Sequence, residues 1–106
     1  MTNKEVNNLT IENNENAQRW EAHLDQHLAV AEYRRRSGTL FFIHTEVPRE
    51  LEGQGVASRL MQKALDDART QHLAVVPFCP FVASYIRRHP DYRDLMEGEP
   101  GKRQNG

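Results

Sequence analysis

Two glycines separated by a single residue lie just before an amphipathic stretch and could bind an anion. The segment reads Glu52-Gly53-Gln54-Gly55-Val56-Ala57. Glycine lets the backbone approach an anion closely, and the first free N–H groups of a helix point at a ligand beyond its N-terminus. The segment therefore predicts a loop that binds phosphate through backbone amides. An ordinary glycine-containing loop before a helix would have the same pattern, so the spacing alone leaves that alternative open.

Two other residues carry side chains suited to proton or acyl transfer. The imidazole of His44 titrates near neutral pH and could accept a proton from an amine or a thiol. Cys79, the single cysteine of the chain, precedes a predicted helix, and a helix N-terminus favours the nucleophilic thiolate. The two could form a base–nucleophile pair. The alternatives are a hydrogen-bonded core histidine and a small buried apolar residue.

The remaining histidine and arginine clusters give weaker signals. His23 and His27 are four residues apart, which suits a metal only on a helix, and they flank a predicted strand turn, so no metal is expected.

The runs Arg34-Arg35-Arg36 and Arg87-Arg88 are typical of a solvated surface, although one arginine could pair with a phosphate. The net charge of -1 gives no global field that would attract nucleic acid or an acidic membrane. Neither is expected as a partner.

Length and composition are those of one small globular domain. The chain has 106 residues, of which 38% are hydrophobic and 27% charged. No apolar run approaches the ~20 residues that span a bilayer, and the first residues lack the apolar region of a signal peptide. A single cysteine cannot form an internal disulfide, which suits a reducing compartment. A cytoplasmic protein is therefore expected.

Apolar residues are concentrated in the middle of the chain. Residues 1–16 are rich in Asn and Glu and nearly free of large apolar side chains, and residues 98–106 are similarly polar. Both segments are predicted to be disordered tails. The folded domain is therefore predicted over residues 17–97.

Hydrophobic periodicity predicts three strands at the start of this domain. Ser37-Gly38 is a turn dipeptide that should join the second and third strands into a hairpin. The third strand is β-branched and aromatic throughout, which favours a central strand buried on both faces. The three predicted strands cover about residues 20–25, 28–36 and 39–47.

A strand, a helix and another strand then follow in the pattern of a right-handed crossover with parallel strands. The helix is predicted over about 55–70, the strand over 73–76 and a final helix over 81–89. A last turn is predicted near 92–96. The fold class is therefore α/β (α+β): a mixed sheet built from N-terminal antiparallel strands, then a β-α-β unit and a C-terminal helix.

These elements resemble the GNAT N-acetyltransferase superfamily. Its loop signature is Gln/Arg-x-x-Gly-x-Gly/Ala, in which Gly55 and Ala57 match and Glu52 occupies the Gln/Arg position without matching. Four segments in the same order also resemble its minimal, single-domain YjdJ-like branch, and the similarity covers about residues 17–97. These segments are His44–Pro48, Gly53–Ser58, Val76–Val82 and His89–Tyr92.

The resemblance implies that the third and fourth strands splay apart and admit acetyl-CoA between them. The pyrophosphate would lie on the glycine loop, and the pantetheine arm would pair with the backbone at the end of the third strand. One arginine of the basic runs could meet the 3′-phosphate. The implied CoA-binding residues are Glu46, Val47, Gly53, Gln54, Gly55, Val56, Ala57 and Ser58.

The activity that the resemblance implies is acetyl transfer from acetyl-CoA to an amine of unknown identity. His44 and Cys79 are proposed active-site residues in this branch, so transfer could be direct or could pass through an acetyl-Cys79 intermediate. Tyr85 corresponds in part to a tyrosine that protonates the CoA thiolate in larger members, but His89 and Pro90 replace the Gly-Phe that follows it there. The alternative is a non-catalytic module that binds CoA or acyl-CoA, which the short chain and Glu52 favour.

Overall fold

A five-stranded sheet with the order β1-β2-β3-β4-β5 forms the body of the protein in a computed structural model, which describes residues 9–96. Neighbouring strands are antiparallel except for the parallel pair β4–β5. The strands are β1 (Thr10–Asn14), β2 (Arg19–Leu24), β3 (His27–Arg36), β4 (Thr39–Glu46) and β5 (Ala74–Pro77). The helices are α1 (Val56–Thr70) and α2 (Pro80–Arg88), with 3-10 helices at Arg49–Leu51 and Pro90–Met96.

The core lies between one face of this sheet and the helices. Alternate residues of β2 face it, so Trp20, Ala22 and Leu24 are buried. The helix α1 contributes an apolar stripe at helical spacing, whose members are Leu60, Met61, Ala64, Leu65 and Ala68, all at 0% exposure. Within residues 9–96, no helix is long and apolar enough to span a membrane.

The hairpin between β3 and β4 forms at the predicted dipeptide. Ser37 and Gly38 have φ angles of 51° and 82°, and two successive residues in the left-handed region give the turn that suits the twist of a two-residue hairpin. The predicted mixed fold, with antiparallel strands followed by a β-α-β unit and a helix, is confirmed, and helix and strand bounds differ from prediction by one or two residues.

A β-bulge in β4 changes which side chains face the core. Phe42 pairs with Tyr33 and His44 pairs with Glu32, so Ile43 is an extra residue between two consecutive pairs. A bulge reverses the facing of every residue beyond it. Thr45 therefore lies on the core side, opposite Ala31, whereas His44 lies on the helix-free side.

Two sequence predictions are wrong in part. The tail predicted over residues 1–16 includes β1, which pairs with β2 along its whole length; residues 1–8 and the tail at 98–106 lie outside the described residues. The third predicted strand, β4, is covered on its core face only, and Ile43 is 37% exposed. Helices cover only one face, so the aromatic and β-branched residues of β4 do not indicate two-sided burial.

Candidate active site

The strands β4 and β5 part at a defined point. Their parallel ladder ends at the pair Phe42–Pro77, and the backbone N–H of Cys79 donates to the Phe42 carbonyl at 3.0 Å just beyond it. The strand β4 continues to Glu46. The edge of β4 that faces β5 is therefore open from Ile43 onward, which leaves backbone groups available to a ligand.

The glycine loop gives α1 an open N-terminus. Gly53 and Gly55 have φ angles of 83° and 76°, a region that glycine adopts at little cost. Gly55 is the N-cap residue and has no side chain that could cap the helix, and no acidic residue occupies the first turn. The first hydrogen bond of the helix runs from the Arg59 N–H to the Gly55 carbonyl. The preceding amides of the first turn are therefore oriented towards an incoming anion.

The loop is held in place from its N-terminal side. Gln54 donates from Nε2 to the carbonyl of Glu50 at 2.9 Å, and Leu51 packs into the core with 3% exposure. The amide of Gln54 is therefore used to fix the loop, and its side chain is directed back along the chain. A fixed loop presents its amides without a large cost in conformational entropy.

A cavity of about 400 Å³ opens beside these amides. It contains six of the eight residues predicted to bind CoA, together with Leu51, Glu52 and Phe81, which were not predicted to do so. Gln54 and Glu46 do not line it. We call it the loop cavity, and the six predicted residues are Val47, Gly53, Gly55, Val56, Ala57 and Ser58.

Cys79 lies at the N-cap of α2, where Pro80 begins the helix. Its side chain is 5% exposed, and Sγ donates to Oγ1 of Thr45 at 3.4 Å. The contact joins the start of α2 to β4 across the point at which β4 and β5 part. Thr45 was missed by the sequence analysis because only the bulge brings it to the core side.

His44 faces the other side of the sheet. Its Nε2 lies 3.5 Å from Oε1 of Glu46, two residues along on the same face, and its side chain is 55% exposed. Within residues 9–96, no hydrogen bond links His44 to Cys79. The structure therefore brings Cys79 together with Thr45, and His44 together with Glu46.

Tyr85 lies in a second cavity, between α1 and α2. Burial, followed by the nearby charge of Asp66, raises the pKa of Tyr85, so its hydroxyl keeps its proton at neutral pH. The cavity measures about 970 Å³ and touches the loop cavity at Ser58, which lines both. We call it the interhelical cavity; Arg59, Arg88 and His89 also line it.

The basic runs and the histidine pair also have defined environments. Arg34 donates to the carbonyl of Tyr33, whereas Arg88 lines the interhelical cavity. His23, one of the histidine pair, lies close to two acids. The side-chain atoms of Glu12, Glu21 and His23 that could bind a metal lie within 4.8 Å of one another.

Glu21 already has partners that account for this grouping. Its carboxylate accepts from Arg19 at 2.7 Å and from Asn14 at 2.9 Å, and its other oxygen lies 3.0 Å from Nε2 of His23. Three such partners use most of the hydrogen-bond acceptor sites of a carboxylate. The cluster is therefore explained by hydrogen bonds among side chains.

Two comparisons with known proteins identify a family and a similar fold. A family described as GCN5-related N-acetyl-transferase matches residues 19–95. A solution structure from Staphylococcus aureus, of a protein described as a candidate GCN5-like N-acetyltransferase, aligns with a TM-score of 0.67 and 28% identity, over 83% of this chain and 87% of that one. The matched residues include the loop, the open edge of β4 and both α-helices. The chain belongs to the GCN5-related N-acetyltransferase family.

Proposed function

We propose that the protein transfers an acetyl group from acetyl-CoA to an amine. The observation that carries the proposal is the loop cavity, in which uncapped amides of α1 lie beside Val47, the residue that follows β4. Amides at a helix N-terminus suit a pyrophosphate, and an open strand edge suits an extended chain that carries amide groups, as pantetheine does. Membership of an acetyltransferase family supports the same ligand.

The two faces of β4 suggest a division of roles. Cys79 and Thr45 lie on the core side, where the thioester would enter between the strands. His44 lies on the open side, where an amine could approach and lose a proton to the imidazole. In direct transfer, the amine nitrogen attacks the thioester carbonyl, the C–S bond breaks and the CoA thiolate leaves. Tyr85 could protonate that thiolate.

A covalent route would use the same groups in two steps. The Cys79 thiolate attacks the thioester carbonyl and CoA leaves as a thiolate, so that one thioester replaces another. The amine then attacks acetyl-Cys79, the C–S bond breaks and the cysteine thiolate is regenerated. Both routes give the same products, an acetylated amine and CoA.

Binding is tested by thermal unfolding with and without acetyl-CoA. A ligand at 100 times its dissociation constant should stabilise the folded state by about 2.7 kcal/mol. The informative variant is Ser58→Glu, because an acid in the first turn suits the helix dipole yet repels the phosphates. Ser58→Gln is the matched control of nearly equal size. Gly55→Val is less useful, because Gly55 has a φ of 76° and valine would strain the backbone whatever the space.

We expect the parent and Ser58→Gln to be stabilised by acetyl-CoA and Ser58→Glu to lose most of that shift. An equal shift in all three proteins would remove the loop from the binding site. Turnover is then measured with a panel of primary amines and polyamines, by the release of free CoA thiol. Tight binding of acetyl-CoA with no amine acetylated would favour the binding-module function instead.

A further inference from the structure

The helix-free side of the sheet has an exposed aromatic pair at the point where β4 and β5 part. Phe41 lies on that side, because its neighbour Phe42 faces the core with 0% exposure. The ring of Phe78, the residue after β5, stacks on Phe41 with centroids 5.9 Å apart and planes inclined by 21°. Phe78 is 68% exposed and Ile43 is 37% exposed. Apolar side chains that are grouped in this way, rather than scattered singly, are characteristic of a binding surface.

Two carboxylates flank His44 on the same side of the sheet. Glu32 of β3 is its direct partner in the antiparallel ladder, and the side chains of such a pair are neighbours. Glu46 is two residues further along β4, with Oε1 at 3.5 Å from Nε2 of His44. Glu32 is half-buried, and its carboxylate has no hydrogen bond or ion pair with any of residues 9–96. That carboxylate is therefore available to a cationic ligand.

The arginines on this side of the sheet do not neutralise the two carboxylates. Arg19 lies opposite Glu32 in the ladder of β2 and β3, but its Nε donates to Glu21 at 2.7 Å. Arg34, the next residue of β3 on this side, donates from Nη1 to the carbonyl of the preceding residue at 2.8 Å. The surface around His44 is therefore acidic, and it favours a cation over an anion.

These features define the chemistry of an acceptor. The nitrogen that attacks the thioester must lose its proton, which the imidazole of His44 would accept, so the carboxylates suit a second ammonium group that stays charged. Glu32 is one strand further from the gap between β4 and β5 than His44 is, about 4.8 Å, and a short aliphatic chain spans that distance. A carboxylate on the acceptor would be repelled by both acids.

We propose that the acceptor is an aliphatic diamine or polyamine that binds on the helix-free side of the sheet. Its reacting nitrogen enters the gap between β4 and β5, where Phe78 and Phe41 provide apolar surface for the methylene groups. Its second ammonium group lies across His44, at Glu32 and Glu46. The proposal rests on the proposed function, because it names the class of amine that is acetylated. It gives the side chain of Glu46 a role that is separate from that of its backbone.

The experiment compares three acceptors with equally long carbon chains: putrescine, n-butylamine and γ-aminobutyrate. The far end of each molecule is positively charged, uncharged or negatively charged, respectively, so the ratios of kcat/KM isolate the effect of that charge. Release of CoA thiol is followed for the parent, Glu32→Gln, Glu46→Gln and Glu12→Gln. Glu12→Gln is the matched control, because Glu12 is an acid on the same side of the sheet but in β1, three strands from β4.

We expect putrescine, after allowance for its two equivalent amines, to have a kcat/KM about two- to fivefold above that of n-butylamine, which is the range for an exposed ion pair. The value for γ-aminobutyrate should be lower than both. Glu32→Gln should remove most of the advantage of putrescine by raising its KM, without changing the rate with n-butylamine or the KM for acetyl-CoA. Glu12→Gln should keep the advantage, and added salt should reduce it in the parent.

Glu46→Gln should also remove the advantage of putrescine. Because Glu46 contacts His44, this variant can slow all three acceptors alike, and that common loss is separate from the loss that is specific to putrescine. Phe78→Ala, at a position that is 68% exposed, should raise the KM of putrescine and of n-butylamine together, since both have the same methylene groups.

Equal kcat/KM for the three acceptors in the parent would overturn the inference and leave the proposed function intact. An advantage of putrescine that survives in both Glu32→Gln and Glu46→Gln would do the same, because the charge would then be recognised elsewhere. An unchanged KM for both amines in Phe78→Ala would overturn the placement of the methylene groups on the aromatic pair. A parent that acetylates no amine at all would instead overturn the proposed function.

Discussion

The Sγ atom of Cys79 lies 3.4 Å from Oγ1 of Thr45, whereas the neighbouring His44 points to the opposite face of β4. This relationship depends on the single extra residue at Ile43, because without the bulge His44 would lie on the core side and Thr45 on the open side. A thiol in contact with a hydroxyl could be supported as a thiolate by that hydroxyl, which would then donate rather than accept.

We predict that incubation with acetyl-CoA produces an acetyl adduct on Cys79, visible as a mass increase of one acetyl group by mass spectrometry. Thr45→Val should slow formation of the adduct about tenfold, because valine has nearly the same shape and lacks the hydroxyl that contacts Sγ. The measurement is the rate of adduct formation at saturating acetyl-CoA, with the site located by digestion of the protein.

Two further variants separate the covalent route from direct transfer. Cys79→Ala should still bind CoA, because the thiol is not part of the loop cavity. His44→Ala should lower the rate of acetyl transfer by roughly 10²–10⁴-fold if the imidazole is the general base. If Cys79→Ala acetylates amines as fast as the parent, the covalent route is wrong and direct transfer remains.

Glu21 should make the stability of the fold depend on pH in the acid range. Hydrogen bonds from Arg19 first, and then from Asn14 and His23, lower the pKa of Glu21 from 4.5 to about 2, against the opposing effect of burial. Between these two values the unfolded chain binds more protons than the folded one. The stabilisation is therefore complete above pH 4.5 and is lost as the pH falls towards 2.

This prediction is measured by urea unfolding from pH 2 to pH 7. Glu21→Gln should lower the free energy of unfolding by about 1–3 kcal/mol at pH 7, and its difference from the parent should vanish near pH 2. Glu12→Gln is the control, because Glu12 is on the same face with a side chain that is 60% exposed. If the difference in the free energy of unfolding between Glu21→Gln and the parent stays the same from pH 2 to pH 7, Glu21 is not the source of the pH dependence.

The sequence predicted the elements that have a strong hydrophobic period and missed those whose position depends on pairing. The stripe on α1 and the turn at Ser37-Gly38 depend on local patterns, which a single sequence shows directly. The strand β1 has one large apolar residue, Ile11, and its Glu and Asn residues are depleted in strands; it forms because β2 offers an edge. The bulge at Ile43 has no local signature, so the facing of His44 and Thr45 could not be predicted.

The candidate site likewise has one part that the sequence predicted and one that it did not. A pair of glycines before a helix can be recognised in a sequence, and six of the eight predicted CoA-binding residues line the loop cavity. Phe81 joins them only because α2 returns next to the loop, which is a tertiary contact. The interhelical cavity brings together Arg59 and Arg88, which are far apart in the chain, and no spacing rule indicates that pair.

The strand β1 should contribute measurably to stability, contrary to its polar composition. The hydroxyl of Tyr33, a residue that is 4% exposed, donates to Oδ1 of Asn13 at 2.7 Å. Asn13→Ala would leave that hydroxyl without its acceptor, at a cost of about 1–3 kcal/mol, and each 1 kcal/mol lowers the Tm of a domain of this size by roughly 4–8 °C. Asn16→Ala, at an exposed position in the turn after β1, should melt as the parent does.

A double variant tests whether this loss comes from the hydrogen bond itself. In Asn13→Ala with Tyr33→Phe, both partners are removed, and no buried hydroxyl is left unpaired. Because removal of both partners is much less costly than removal of one, the double variant should recover part of the Tm lost in Asn13→Ala. The opposite outcome is a double variant whose loss of Tm equals the sum of the losses in Asn13→Ala and Tyr33→Phe. Such additivity would mean that the two side chains stabilise the fold independently. The strand β1 would then be held only by its backbone ladder and by the packing of Ile11.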